Sequence, residues 1–263
     1  MADLNGKVAF VLGAAGQGNM GQTIARRLAA DGAKVTVAGR HEKVLSALAK
    51  EIGGDFAVCD ITDGAALRSA IEATAKKHGR LDIGVNATGI ALASPFTETT
   101  EADLERMYAV QFKGPYQFMQ ALVRAMTNGG SIIQISSATA TIMVDDYAAY
   151  QGTKAGIDHV VRCIANQYGS RGIRANSVSP GITETPMAAE AFKIPALVEC
   201  FRKEYPLGRV GTADDIAAAV AWLSSDECFL TGQNLQVNGG LTLRRNPTSA
   251  EIGAAVAAAM KEK

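Results

Sequence analysis

Residues 7–29 read KVAFVLGAAGQGNMGQTIARRLA. The run 7–12 is short, apolar and valine-rich, which predicts a buried strand. Residues 22–29 place Ile24, Ala25 and Leu28 on one face at helical spacing. Between the two, Gly16, Gly18 and Gly21 match G-x-G-x-x-G, in the strand–turn–helix setting that gives this pattern its meaning. Glycine lets a backbone approach a pyrophosphate closely. A helix start supplies unpaired N–H groups and positive partial charge. The stretch predicts a first βα turn shaped for phosphate.

The alternation continues along the chain. Further strand-like runs lie at 34–39, 55–59, 81–85, 131–136, 173–178 and 234–238. Helical periodicity falls at 22–32, 41–54 and 66–79, with longer helices over 101–126 and 147–168. Strand and helix in turn predict an α/β fold with a doubly wound parallel sheet, covered on both faces. No linker or repeat interrupts it, so residues 1–245 form one domain that binds dinucleotide and carries the catalysis. Residues 246–263 form a C-terminal helical extension. Its stripe of Ile252, Ala255, Val256, Ala259 and Met260, opened by Ser249 as cap, suggests a helix that docks on a neighbouring subunit.

Composition excludes several classes. Lysine plus arginine and aspartate plus glutamate number 26 each among 263 residues, which gives no electrostatic reason to expect nucleic acid or an acidic membrane. Cys59, Cys163, Cys200 and Cys228 are scattered, as are His41, His78 and His159, so no metal is expected. Unpaired thiols, no apolar leader and no apolar run of about 20 residues predict a soluble, cytoplasmic protein.

In a doubly wound sheet, ligands bind beyond the carboxyl ends of the strands. Strand 34–39 ends in Gly39-Arg40-His41. An NAD site places an acid here for the ribose hydroxyls, whereas arginine accommodates the 2′-phosphate of NADP. NADP is therefore favoured over NAD.

Five further stretches occur in a recognisable order. They are GRLDIGVNATG (79–89), SIIQISSA (131–138), YQGTKAG (150–156), NSVSPGITETPM (176–187) and PLGRVGTADDIAAAVAWLSSDECFLTGQNLQVNGG (206–240). With the first turn, they make the chain resemble the short-chain dehydrogenase/reductase family over residues 5–243. That resemblance implies a Rossmann fold and hydride transfer between a nicotinamide and a carbonyl or alcohol carbon. It implies Tyr150 as acid/base, Lys154 lowering its pKa and bonding the nicotinamide ribose, and Ser137 holding the substrate oxygen. Gln111 stands where the family commonly has a catalytic asparagine. The implied cofactor contacts are Gly13, Gln17, Asn19 and Met20 at the phosphates, Arg40 and His41 at the adenosine end, and Asp60 and Ile61 at adenine. Asn86 and Gly89 fall on the adenine ribose side, with Pro180, Gly181, Thr183 and Thr185 near the carboxamide and phosphates. Ile90, Leu92, Met143, Tyr147 and Met187 are the substrate-facing candidates, mostly apolar. A homotetramer or homodimer acting on a small carbonyl or alcohol is the implied assembly, with 187–206 as a lid.

Residues 147–154, YAAYQGTK, hold two tyrosines. On a helix, Tyr150 is one turn from Lys154, about 6 Å along the axis, while Tyr147 is about 10 Å away. This favours Tyr150. Two readings compete with it: an enoyl-thioester reductase that uses Tyr147, and an NADP-binding protein without turnover. The chain also departs from the family pattern. Leu12 replaces a threonine, the first turn is two residues longer, and Ala87 and Gln111 replace asparagines.

Overall fold

The valine- and isoleucine-rich runs all form strands in a computed structural model that describes residues 2–261. They are β1 Val8–Leu12, β2 Lys34–Gly39, β3 Asp55–Val58, β4 Ile83–Asn86, β5 Gly130–Ile135, β6 Ile173–Pro180 and β7 Asn234–Val237. Every pairing is parallel, in the order β3-β2-β1-β4-β5-β6-β7. Neighbours β1 and β4 feed crossovers that leave in opposite directions, so a crevice opens above their carboxyl ends.

Helices cover both faces, which is why the central strands read as continuous apolar runs. Helices α1 Met20–Ala30 and α2 Glu42–Ile52 pack one face, with Ile24, Leu28 and Leu45 against Val11 and Val85. Helices α3 Gly64–His78, α4 Glu101–Tyr108, α5 Gly114–Ala125 and α6 Ala148–Tyr168 belong to the other side, where Ile71, Phe118, Leu122 and Val161 meet Phe10 and Ile132. Short helices α7 Ala189–Phe192 and α8 Pro195–Arg202 lie in the expected lid. Helix α9 Ala213–Ser224 closes the first face, and α10 Ser249–Lys261 ends the described chain. Helix α9 is not singled out by periodicity, because AAAVAW carries no polar side.

The pattern at 101–126 predicts one helix, but a π-helical turn, Ala109–Lys113, separates α4 from α5. Pro115 is the reason. It has no N–H to return to the Gln111 carbonyl, so the α ladder cannot continue there. Gly114 instead donates to Ala109, five residues back.

The C-terminal stripe forms a helix that packs within its own chain. Helix α10 lies on α8 of its own chain. Ile252, Ala255, Val256 and Ala259 are half-buried, whereas Met260 is exposed. Thr248, not Ser249, caps it: the Thr248 hydroxyl accepts from the Glu251 N–H (3.3 Å), and the Glu251 carboxylate takes the Thr248 N–H (2.7 Å). The last two residues of the predicted extension lie outside the described residues. Among those described, no helix is long and apolar enough to cross a membrane, and no group of metal-ligating side chains gathers.

Gly13 sets how closely the first turn approaches β4. Its φ is +99°, and a Cβ there would lie 2.6 Å from the Ala87 carbonyl carbon, on backbone that cannot swing away. Gly13→Ala is expected to destabilise the fold by about 2–4 kcal/mol through left-handed strain and overpacking. Urea unfolding of the variant beside the parent measures this.

Candidate active site

A cleft of about 640 Å³ opens where the topology places it, beyond the carboxyl ends of the strands. Its floor begins at the first turn, which two side chains make rigid. Asn19 caps α1, accepting from the Gln22 N–H (3.0 Å) and donating to the Gly13 carbonyl (2.7 Å). Gln22 accepts from Gly18 N–H (3.0 Å) and donates to the Ala14 carbonyl (3.2 Å). The N–H groups of Ala15, Gly16 and Gln17 have no acceptor among the described residues. The first turn of α1 carries no acid. Free amides at a positive helix end fit a phosphate group. Gly13, Asn19 and Met20 line the cleft; Gln17 points outward and does not.

At one end stand Arg40, His41, Asp60 and Ile61, all on the cleft wall. The Arg40 guanidinium is largely exposed, 3.8 Å from the Asp60 carboxylate. Donors from the Thr62 N–H (2.8 Å) and hydroxyl (2.7 Å) hold the Asp60 carboxyl below its ordinary range, with Arg40 adding to them. Asp60 therefore stays charged and partly balances Arg40, whose outer edge remains free for an anion.

At the other end, Gly89, Ile90, Ser137, Tyr150 and Lys154 converge with Pro180, Gly181, Thr183, Thr185 and Met187. Ser137 leaves β5 in extended conformation. Its hydroxyl pairs with that of Thr139 (2.8 Å) and accepts the Thr139 N–H (3.2 Å). Tyr150 stands on the first turn of α6, with the Tyr147 ring edge-on to it at 6.2 Å. Lys154 is buried. Its Nζ donates to the Ile135 carbonyl (3.0 Å) and lies over the Tyr150 ring, 5.6 Å from the centroid.

Burial dominates the titration of this group. It pushes the Tyr150 phenol up, with the neighbouring Ser137 hydroxyl acting the other way. It also brings the Lys154 amine down to about 8, against the opposing pull of Asp158 one turn further along α6. The expected lowering of the Tyr150 pKa by Lys154 is thus absent from this geometry. One Lys154 N–H goes to the Ile135 carbonyl, and the Nζ lies over the Tyr150 ring. Asp158 is itself buried, and burial raises its carboxyl. One of its oxygens accepts from Ser136 (2.8 Å) and Asn234 (2.6 Å), tying α6 to β5 and β7.

Other predicted residues fall outside the cleft. The Asn86 side chain is consumed internally, donating to Gln134 (2.9 Å) and accepting from the Thr88 N–H (3.1 Å) and hydroxyl (2.7 Å). Gln111 is buried in the π turn, donating to the Thr153 hydroxyl (3.2 Å) and accepting from the Ile90 N–H (3.4 Å). A Cβ on Gly89 would sit 3.0 Å from the Gln111 carboxamide oxygen and 3.7 Å from Lys154 Nζ, so the carboxamide crowds that glycine and the amine is in ordinary contact with it. Leu92, Met143 and Tyr147 do not line the cleft. Ile182 and Arg106 do, and neither is predicted. Ile182 sits between two predicted neighbours and could have been read by continuity. Arg106 is a helix residue brought in by the fold and leaves no local signal.

The chain matches the family model described as "Enoyl-(Acyl carrier protein) reductase" over residues 13–242. It is 34% identical to D-threitol dehydrogenase of Mycolicibacterium smegmatis over 92% of this chain and 95% of that one. A short-chain type dehydrogenase/reductase from Mycobacterium ulcerans superposes with a TM-score of 0.89 at 29% identity, covering 93% of this chain and 92% of the other. A gluconate 5-dehydrogenase from Burkholderia cenocepacia, solved with NADP and tartrate, gives 0.87 at 30% identity over 92% and 97%. The chain belongs to the short-chain dehydrogenase/reductase family. It is an NAD(P)-dependent oxidoreductase acting on CH–OH groups.

The depressed Lys154 pKa means that the fold penalises the ammonium. The stability it withholds returns as pH rises from about 8 towards the ordinary 10.5. Lys154→Met is expected to be more stable than the parent at pH 7, by up to about 3 kcal/mol, with the gap closing above pH 8. The Ile135 carbonyl keeps its bond from Gln134 (2.8 Å), so the variant leaves no orphan there. Denaturation midpoints across pH 6–10 read the effect.

Proposed function

We propose that the protein interconverts a carbonyl compound and a secondary alcohol with NADP, using Tyr150 as the proton donor and acceptor. The observation that carries this reading is the meeting of Tyr150, Ser137 and Lys154 on one wall of the cleft, with Arg40 on the same cleft beyond the phosphate turn. The N–H groups of Ala15, Gly16 and Gln17 would hold the cofactor's phosphates. Arg40 would hold the 2′-phosphate, and Lys154 the ribose beside the nicotinamide. When bound, the reduced nicotinamide supplies a hydride to the substrate carbon.

The chain's own residues do the rest. The Ser137 hydroxyl donates to the substrate oxygen and orients it. The Tyr150 phenol, raised by burial, stays protonated through neutral pH and delivers its proton to the alkoxide as that forms. In the reverse direction the phenolate must form first, so oxidation is favoured by alkaline pH. To steady the phenolate, the Lys154 amine, over the Tyr150 ring at 5.6 Å from its centroid, would have to carry its proton and turn from the Ile135 carbonyl towards the hydroxyl. Gln111 acts through position, bracing the turn beside Gly89 and Lys154. Tyr147 lies off the cleft, which favours carbonyl chemistry at Tyr150 over double-bond reduction at Tyr147.

Ile90 and Met187 make the substrate end partly apolar, which suits a medium-sized secondary alcohol or ketone better than a sugar phosphate. D-threitol and gluconate, named for two relatives, share the CH–OH chemistry. The family resemblance supports a homotetramer or homodimer, and the thiols and composition support a cytoplasmic setting.

Tyr150→Phe is expected to bind NADPH within about threefold of the parent and to lose at least ~100-fold in turnover. Cofactor fluorescence titration and absorbance of the reduced nicotinamide, over a panel of ketones, check both halves. Substantial residual turnover would remove Tyr150 from the mechanism. Arg40→Asp is expected to weaken NADP binding about 10- to 100-fold while NAD binding holds or improves. Unchanged relative affinities would mean that the 2′-phosphate is read elsewhere.

A further inference from the structure

Beyond residue 242, where the family match ends, the chain does not drift into solvent. Its next ten residues tie together two segments beside the substrate end of the cleft. One is the loop 141–147, between Ser137 and Tyr150. The other is helix α8, which ends the lid segment that follows Met187.

Three kinds of contact make the tie. The Asn246 side chain, buried to 7% exposure, donates to the Met143 carbonyl (3.1 Å). The Ser249 N–H donates to the Asp145 carboxylate (3.2 Å). On the lid side, Arg244 donates to the Lys203 carbonyl (2.7 Å), and Arg245 stands 3.4 Å from Glu204 while pairing with Glu251 at 2.6 Å. Helix α10 then lays its half-buried stripe on α8.

The loop needs such support. Asp146 holds a left-handed φ of +64°, unfavourable for a residue with a Cβ. The loop backbone is held at its ends, by the Thr141 and Ile142 N–H groups donating to the Ala138 carbonyl (3.0 Å each) and the Gln151 N–H donating to the Tyr147 carbonyl (2.9 Å). Between them, besides the C-terminal contacts, only the Gln151 side chain, donating to the Val144 carbonyl (2.6 Å), and the Ser94 N–H, donating to the Asp146 carbonyl (2.7 Å), hold it among the described residues. The exposed ion pairs contribute little. The buried Asn246 bond contributes more, because losing it leaves a carbonyl without its partner.

We propose that residues 244–252 are a strap that fixes the loop joining Ser137 to Tyr150 to the lid helix, with Asn246 as a positioning residue for substrate binding. This rests on the reading of the cleft given above. The strap holds the loop and the α8 end of the lid at a set spacing behind the cleft, and so sets where the part of the lid that reaches it, at Met187, stands relative to Tyr150.

Asn246→Asp keeps the size of the side chain but turns the donor into an acceptor facing the Met143 carbonyl, so it separates this bond from mere filling of space. With 2-octanone and NADPH as probes, Asn246→Asp is expected to raise KM for the ketone about 5- to 10-fold, and Asn246→Ala somewhat less, with kcat and NADPH affinity within about twofold. Amide exchange of the full chain should quicken at 141–147 and 195–204 and stay unchanged at 8–39. An unchanged KM, or exchange that quickens evenly along the chain, overturns the strap. If the parent turns over no ketone or alcohol with either cofactor, the catalytic reading fails instead. The exchange measurement then still decides whether the strap exists.

Discussion

The close approach of the first turn to the end of β4 is the constraint on which the site depends. Gly13 lies so near the Ala87 backbone that no side chain fits between them. That contact brings the turn before α1 over the crevice between β1 and β4, where Gly13, Ala15 and Gly16 line the cleft. Asn19 and Gln22 spend their side chains inside the turn and hold it in place. The turn is therefore not slack.

A second constraint governs the chemistry. Helix α6 carries Tyr150, Lys154 and Asp158 at intervals of one turn, and all three groups are shifted by burial. Burial holds the phenol in its neutral form and the lysine near the point of losing its proton. Asp158, anchored by Ser136 and Asn234, opposes the second shift and links the helix to the segment that leads from β5 into Ser137. Positioning and proton affinity are set by the same contacts. A change that loosens one therefore alters the other.

The π turn shows how a local defect serves the site. Pro115 breaks the helical ladder and opens a wider turn at Gln111. The freed glutamine reaches both Thr153 on α6 and the Ile90 amide after β4, joining two walls of the cleft from behind. The C-terminal segment does comparable work from the opposite side, against the loop that carries Met143 and the helix that ends the lid.

All seven strands and the fold class were legible in the sequence: the central strands because burial on both faces makes them apolar along their whole length, and the half-exposed edge strands β3 and β7 because each keeps a short run with apolar residues. The glycine turn after β1, the place of Arg40 at the end of β2 and the Tyr150–Lys154 spacing were legible for a similar reason: each depends on neighbours close in the chain. What the tertiary structure alone decided depends on distant partners. Asn86 turned inward because Gln134, on the adjacent strand, claimed its amide. Lys154 faced the Ile135 carbonyl because β5 runs beneath α6. Arg106 entered the cleft, and α10 settled on its own α8, because packing brought them there. Local spacing encodes which groups can share a helix face or a turn, but burial and the choice of hydrogen-bond partner are set only when separate elements meet.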